Sequence, residues 1–255
     1  MNIPILMYHG IHDVPGQDGR FEPVYSITRR QFERQLAWLA DNGYQSVTCA
    51  RLEEWNSDAR IVVITFDDGD LSNYTVSLPL LQKYGMCADY FITTDWIDSE
   101  EYMSPNQLRE LDRAGMSVQS HARSHRYLSD LTAEELSEEL NGSREVLEQI
   151  LGKPVTGLAL PGGRGGERVV RMARDAGYRY VCSSELGVNS GGGNRFALQR
   201  IPVTRQMELE QFARLVTGDR WEIGRRVLRQ RILGRMKKLL GNRLYERLRS
   251  RVVES

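Results

Sequence analysis

Histidine and cysteine are scarce in this chain of 255 residues, which holds four of the first and three of the second. Cys49, Cys87 and Cys182 are odd in number, widely spaced and without any Cys-x-x-Cys pair, which excludes a disulfide framework. Each lies in or beside an apolar stretch, so buried free thiols in a reducing compartment are expected. No run of 18 apolar residues occurs, which excludes a membrane-spanning helix. The opening MNIPILMYHG lacks a basic leader region and reads as a first core strand, so a cytoplasmic protein is expected. Net charge is lacking too, since 34 Lys and Arg balance 34 Asp and Glu. The balance is uneven: residues 205–255 carry 14 basic and 6 acidic side chains, a surplus of +8 that leaves −8 on the rest. Such asymmetry points to an appended basic segment with a partner of its own.

At 40% hydrophobic and 27% charged residues, the composition is that of a soluble globular protein. Its clearest feature is Ile61–Asp70, IVVITFDDGD, where an apolar β-branched run meets two adjacent carboxylates and a glycine. The run suits a strand buried on both faces, and Gly69 lets the backbone turn at its end. Around it, short apolar runs alternate with helical patterns. Strands are expected at Ile3–Tyr8, Tyr44–Thr48, Ala88–Thr93, Met116–Ser120, Val155–Leu160, Arg179–Ser183 and Phe196–Val203. Between them, capping signals at Thr28, Ser104 and Thr132 open helices, and Leu52–Trp55 and Tyr74–Tyr84 also read as helical. The rhythm predicts parallel βαβ units closing into a barrel-like α/β domain over residues 1–204. Residues 205–255 then form a basic helical tail, in which Ile223, Val227, Ile232, Met236, Leu239, Leu240, Leu244 and Leu248 make an interrupted apolar stripe. A positively charged amphipathic helix suits an anionic membrane surface, and no motif supports nucleic-acid binding.

Three of the four histidines, His9, His121 and His125, fall just after predicted strands, where an α/β site gathers its side chains. The spacing of His121 and His125 predicts one helical turn that turns both imidazoles to the same side. With Asp68 they make a set of three ligands with one open position, suited to one divalent ion: Zn²⁺, or else Fe²⁺, Co²⁺, Ni²⁺ or Mn²⁺. Asp67, beside that ligand but left free, is the natural general base.

These residues carry a resemblance. TFDDG at 65–69, His-x-x-x-His-x-x-Leu at 121–128 and the Pro-Gly-Gly strand end at 161–163 resemble the polysaccharide deacetylase family, also known as the NodB-homology or carbohydrate esterase family four domain. LMYHGI, YSITRRQFERQLAWLADNGY and GKPVTGLALPGG resemble its branch acting on poly-N-acetylglucosamine-like chains. The resemblance spans roughly residues 3–204 and implies a distorted (β/α) barrel with fewer than eight full strands. It implies hydrolysis of an N-acetyl amide on an amino sugar, with Asp67 as base, Asp68, His121 and His125 on the metal, and the Pro161, Gly162, Gly163 loop stabilising the oxyanion. The family's usual arginine in the third motif is here Ala159, so Arg164 or Arg200 is expected to supply that cation. The late histidine that serves many members as general acid is absent, since none follows His125, and the resemblance to the branch with MYH near its start implies that the early histidine, His9, is the acid. An aromatic groove residue usual in the third-motif loop is replaced by Gly162. The expected substrate is an N-acetylated amino sugar in a glycan or in a lipid-linked precursor at the inner membrane face. A de-N-formylase on a lipid carrier and a glycan-binding barrel without catalysis are the alternatives.

Overall fold

The computed structural model describes residues 2–14, 21–52, 59–190 and 192–228. Its strands in chain order are β1 (Asn2–Ile3), β2 (Ile5–Tyr8), β3 (Tyr44–Ser46), β4 (Arg60–Phe66), β5 (Asp89–Ile92), β6 (Ser117–Ser120), β7 (Gly157–Ala159), β8 (Tyr180–Cys182), β9 (Asn189–Ser190) and β10 (Ile201–Pro202). The α-helices are α1 (Arg29–Asp41), α2 (Leu78–Lys83), α3 (Pro105–Arg113), α4 (Ala133–Leu151), α5 (Glu167–Asp175) and α6 (Leu209–Val216). Seven strands lie side by side in the order β10-β2-β4-β5-β6-β7-β8, every pair parallel. β3 pairs with the first half of β4, Tyr44 opposite Arg60 and Ser46 opposite Val62. Cys182 at the end of β8 bridges Leu198, just ahead of β10, so the sheet curls toward closure. The architecture is the distorted barrel expected, with seven strands in the curled sheet.

Period-two alternation explains why Ile61–Ile64 of β4 is apolar at every position. Ile61 and Val63 belong to an interior cluster with Ile5, Phe91, Ala159, Tyr180, Cys182 and Leu198. Val62, Ile64 and Phe66 instead join the larger cluster beneath the helices, with Phe32, Leu36, Leu81 and Leu108. Successive side chains of a strand point to opposite faces, so a strand with both faces covered is apolar at every position. Thr65 interrupts this run, and its Oγ1 donates to Leu6 O at 2.8 Å.

Two of the three capping boxes read from the sequence form, and at Thr28 only half of one does, because the Gln31 amide donates to Thr204 O and Met207 O instead. Thr28 accepts from Gln31 N, and Ser104–Gln107 and Thr132–Glu135 make reciprocal capping boxes. The helix expected over Tyr74–Tyr84 is split at the proline. Asn73–Ser77 is a π-helical turn, and α2 begins at Leu78 with Pro79 in its first turn, where a missing N–H does no harm. The strand expected over Phe196–Val203 is mostly absent. Arg195–Ala197 is a 3-10 turn and only Ile201–Pro202 pairs, because this segment runs along the closing seam rather than down the sheet. Leu52–Trp55 reaches past the described residues, as does the tail after 228. α6 follows residue 204 yet packs on the barrel: Phe212 meets Trp38 of α1 edge-on, with ring centroids 5.9 Å apart, and Leu215 is buried.

One buried acid lies below the site. Asp89, at the start of β5, accepts from Cys49 N at 2.8 Å and from Tyr180 Oη at 3.2 Å. Burial raises its carboxyl to about 6, outweighing those donors. An unfolded aspartate titrates near 3.9. The folded state therefore holds the proton more tightly, and Asp89's contribution is fully present below about pH 3.9 and lost as pH rises through about 6. The difference corresponds to about 3 kcal/mol. Asp89→Asn should flatten the decline of the urea midpoint between pH 4 and 7; an unchanged slope would show that other groups set it.

Candidate active site

The ladder between β2 and β4 runs one residue past Phe66, as Asp67 N donates to Tyr8 O at 3.0 Å. Asp67 thus keeps the interior phase of Ile61, Val63 and Thr65. The chain then turns through two left-handed residues, Asp68 (φ 78) and Gly69 (φ 93). Only Gly takes that conformation without cost, so Asp68 is held there against its own preference. The turn is pinned by Thr93 N on Asp68 O and Met103 N on Gly69 O. Asp67, Asp68 and Asp70 are all buried.

His121 and His125 do come together, though not on a helical turn. Residues 121–127 form a loop in which Ala122 (φ 61) and His125 (φ 63) are left-handed. The loop is shaped by Glu139 of α4, whose carboxylate accepts from Arg123 N and Ser124 N at 2.9 Å each and also from Ser124 Oγ. Glu139 was not legible as a site residue, because on sequence it is one more acid of a charged helix. His121 Nδ1 lies 2.9 Å from Ala159 O. A carbonyl only accepts, so Nδ1 carries the proton and Nε2 presents its lone pair. His125 rests against Trp96, with ring centroids 5.1 Å apart.

Asp68 Oδ1 stands 3.4 Å from His121 Nε2 and 3.4 Å from His125 Nε2, and has no hydrogen-bond partner. All three ligand atoms lie within 4.8 Å of one another. A tetrahedron with ligands about 2.0–2.1 Å from its centre has edges of about 3.3–3.4 Å, so the two histidine–aspartate spacings fit one divalent ion. The electrostatics agree. Burial, then the charges of Asp67 and Asp70, push the Asp68 carboxyl well above the usual range. Burial lowers both imidazoles to about 4, keeping them neutral and able to ligate. A buried acceptor with no donor facing two neutral imidazoles is a set of groups suited to a cation.

Asp67 is held differently. Arg200 Nη1 and Nη2 donate to Asp67 Oδ1 and Oδ2 at 2.7 Å each, a bidentate pair. The guanidinium is 0% exposed, and its Nε donates to Ser183 O at 2.8 Å. Burial alone would raise Asp67, but the Arg200 charge, with that of His121, holds it well below the carboxylate range. Of the two arginines considered for Ala159's missing cation, Arg200 touches Asp67, whereas the Arg164 guanidinium lies 4.1 Å over the Tyr127 ring. His9 stacks on Tyr25 at 4.7 Å between centroids, and Asn73 Nδ2 donates to its carbonyl at 2.6 Å. Asp67, Arg200 and His125 all act on its charge, and burial lowers it to about 4. His12, given no role on sequence, has Nε2 3.3 Å from Asp70 Oδ1 and Nδ1 3.1 Å from Ser26 Oγ. Pro161–Gly163 forms a 3-10 turn beyond β7.

The fold and site define a class of curled parallel barrel whose strand ends gather an acid pair and two imidazoles. The sequence model of the polysaccharide deacetylase family matches residues 55–181. YxkH of Bacillus subtilis (strain 168), named for polysaccharide deacetylases, is 31% identical over 215 residues, covering 82% of this chain and 74% of that protein. The poly-beta-1,6-N-acetyl-D-glucosamine N-deacetylase of Staphylococcus aureus (strain MRSA252) is 25% identical over 198 residues, 71% of this chain and 68% of that one. The crystal structure of a polysaccharide deacetylase from Bacillus cereus superposes with a TM-score of 0.77 at 30% identity, over 85% of this chain and 69% of that one. This chain belongs to the polysaccharide deacetylase family.

Removing one partner of a buried ion pair leaves the other charged and unpaired, which costs about 3–5 kcal/mol. Arg200→Gln should lower the unfolding free energy at pH 7 by that order in urea titrations, and adding Asp67→Asn should restore much of the loss. Additive losses in the double variant would deny the coupling.

Proposed function

We propose that this protein is a metal-dependent N-deacetylase that hydrolyses the acetamide of an amino sugar within a glycan or a lipid-linked glycan precursor. One observation carries the reading: the partnerless Asp68 Oδ1 midway between two neutral imidazole nitrogens, next to a carboxylate locked by Arg200. The named activity of the S. aureus relative supports the substrate class. Asp68, His121 and His125 hold the ion, with Zn²⁺ the best match to two imidazoles and a carboxylate, and Co²⁺, Ni²⁺, Mn²⁺ or Fe²⁺ the alternatives. When bound, it supplies Lewis acidity to the amide carbonyl and to the attacking water.

The chain's own residues do the rest. Asp67, kept ionised and fixed in orientation by Arg200, takes a proton from the attacking water. Pro161 has no N–H and Gly163 N already donates to Leu160 O at 2.8 Å, so the Gly162 amide is the donor for the oxyanion. His9 is the general acid for the leaving nitrogen; burial lowers it to about 4, so it must first take up a proton, which the nearby charge of Asp67 favours. Asp68→Ala should abolish stoichiometric metal binding. Asp67→Asn should retain the metal and lose about two or more orders of magnitude in kcat, the scale of a lost general base. Elemental analysis and acetate release check both; a fully loaded Asp68→Ala protein overturns the ligand set.

The same proposal places the enzyme at an anionic membrane surface. Among the described residues no helix is long and apolar enough to cross a membrane. Residues 220–228 are helical, with Trp221 90% and Leu228 60% exposed on the face that also carries Arg225. Aromatic and basic side chains on one helix face suit a lipid headgroup layer, and the sequence beyond continues the basic pattern. Full-length protein should sediment with phosphatidylglycerol vesicles more than with phosphatidylcholine vesicles, and Trp221→Ser should weaken that binding several-fold. Binding indifferent to lipid charge and to Trp221→Ser would refute it.

A further inference from the structure

Gly162 sits in the left-handed region (φ 60), and a Cβ placed on it would collide with Tyr127 Cε1. The ring of Tyr127 therefore lies directly against the loop assigned the oxyanion donor. Tyr127 comes from the other wall of the site, two residues after His125, and is 42% exposed. An aromatic surface that this loop cannot itself carry is thus supplied from the histidine loop. The surface is not a bare ring, since the Arg164 guanidinium covers it at 4.1 Å. Arg123, Arg126, Arg144 and Arg225 each have a carboxylate partner. Arg164 has none among the described residues, and its guanidinium makes no hydrogen bond to another of them. A ring orients it, which leaves its fork of N–H donors unused.

We propose that Tyr127 and Arg164 form a substrate subsite that binds an anionic group, a phosphate or a carboxylate, on the sugar unit adjoining the one deacetylated. The proposal deepens the N-deacetylase reading and rests on it for the identity of the ligand. A planar guanidinium matches the paired oxygens of phosphate or carboxylate and has no comparable partner on a neutral sugar. Tyr127 acts by holding that plane at the loop, and the left-handed Gly162 makes room for the ring.

The test uses full-length zinc-loaded protein and three substrates: a neutral N-acetylglucosamine trisaccharide, the same trisaccharide with a uronate, and the same with a phosphate ester. Acetate release should favour at least one anionic substrate over the neutral one in kcat/KM by about tenfold or more, the scale of a charge-assisted hydrogen bond. Arg164→Gln should bring that ratio close to one. Arg164→Lys, which keeps the charge without the fork, should fall between, as should Tyr127→Leu. Whichever anion is preferred distinguishes phosphate from carboxylate. Calorimetry on metal-stripped protein reads the subsite without catalysis, and Arg164→Gln should weaken anionic-trisaccharide binding about tenfold at an unchanged Tm. A wild-type ratio near one, or a ratio and an affinity unmoved by Arg164→Gln, overturns the subsite. If none of the three substrates releases acetate, the N-deacetylase reading fails, while the calorimetric arm still decides whether the anion binds at Arg164.

Discussion

Three buried carboxylates within four residues set the central constraint on this structure. Asp67, Asp68 and Asp70 cannot all remain charged in one another's company without cations between them. Each is answered differently. Asp67 receives a full guanidinium, in bidentate geometry, from Arg200. Asp70 accepts from Ser72 N at 2.8 Å and from Ser72 Oγ, and faces His12. Asp68 receives no donor at Oδ1 and faces the Nε2 atoms of two imidazoles, that of His121 left bare by the Nδ1 bond to Ala159 O. Among the described residues, Asp67 is satisfied at both oxygens, Asp70 is satisfied at Oδ1 with Oδ2 left without a partner, and Asp68 Oδ1 stands without a donor between two imidazoles.

The pair Arg200–Asp67 also ties chemistry to closure of the barrel. Arg200 lies just ahead of β10, its backbone N–H donates to Glu185 O, and its Nε reaches Ser183 O beyond β8. Its guanidinium then crosses the interior to the end of β4. One side chain therefore links both sides of the seam to the central strand. This location explains how Ala159 can stand where an arginine was expected. Ala159 is buried in the interior cluster with Cys182 and Leu198, and the cation that meets Asp67 comes instead from the seam.

Much of this was legible because it is local. The apolar run of β4, the caps at Thr28, Ser104 and Thr132, and the acid pair at a strand end follow from periodicity and side-chain chemistry within a few residues. What escaped depends on distant parts of the chain. The loop holding His121 and His125 is shaped by Glu139, which looks like any other acid of an exposed helix until α4 turns it inward. A three-residue gap between histidines fits a helical turn equally well, so local spacing could not reveal a left-handed His125. Choosing between Arg164 and Arg200 needed the seam between β8 and β10, and β10 is shorter than the stretch Phe196–Val203 suggests because Leu198 packs in the interior cluster while Ile201 and Val203 pack in the larger one.

The burial that makes Asp68 costly also explains how the barrel can stand before an ion arrives. A carboxyl pushed well above its usual range takes a proton instead of holding a buried charge. His121 and His125, lowered to about 4, need no proton of their own at neutral pH. The cluster can therefore be electrically quiet when empty, and under the proposed function an arriving divalent ion would displace a proton from Asp68. Asp67 stays out of that exchange because Arg200 already fixes its ionisation. Under the proposed function, the acid assigned to the ion is thus the one left to titrate, and the acid assigned to proton transfer is the one held charged by Arg200.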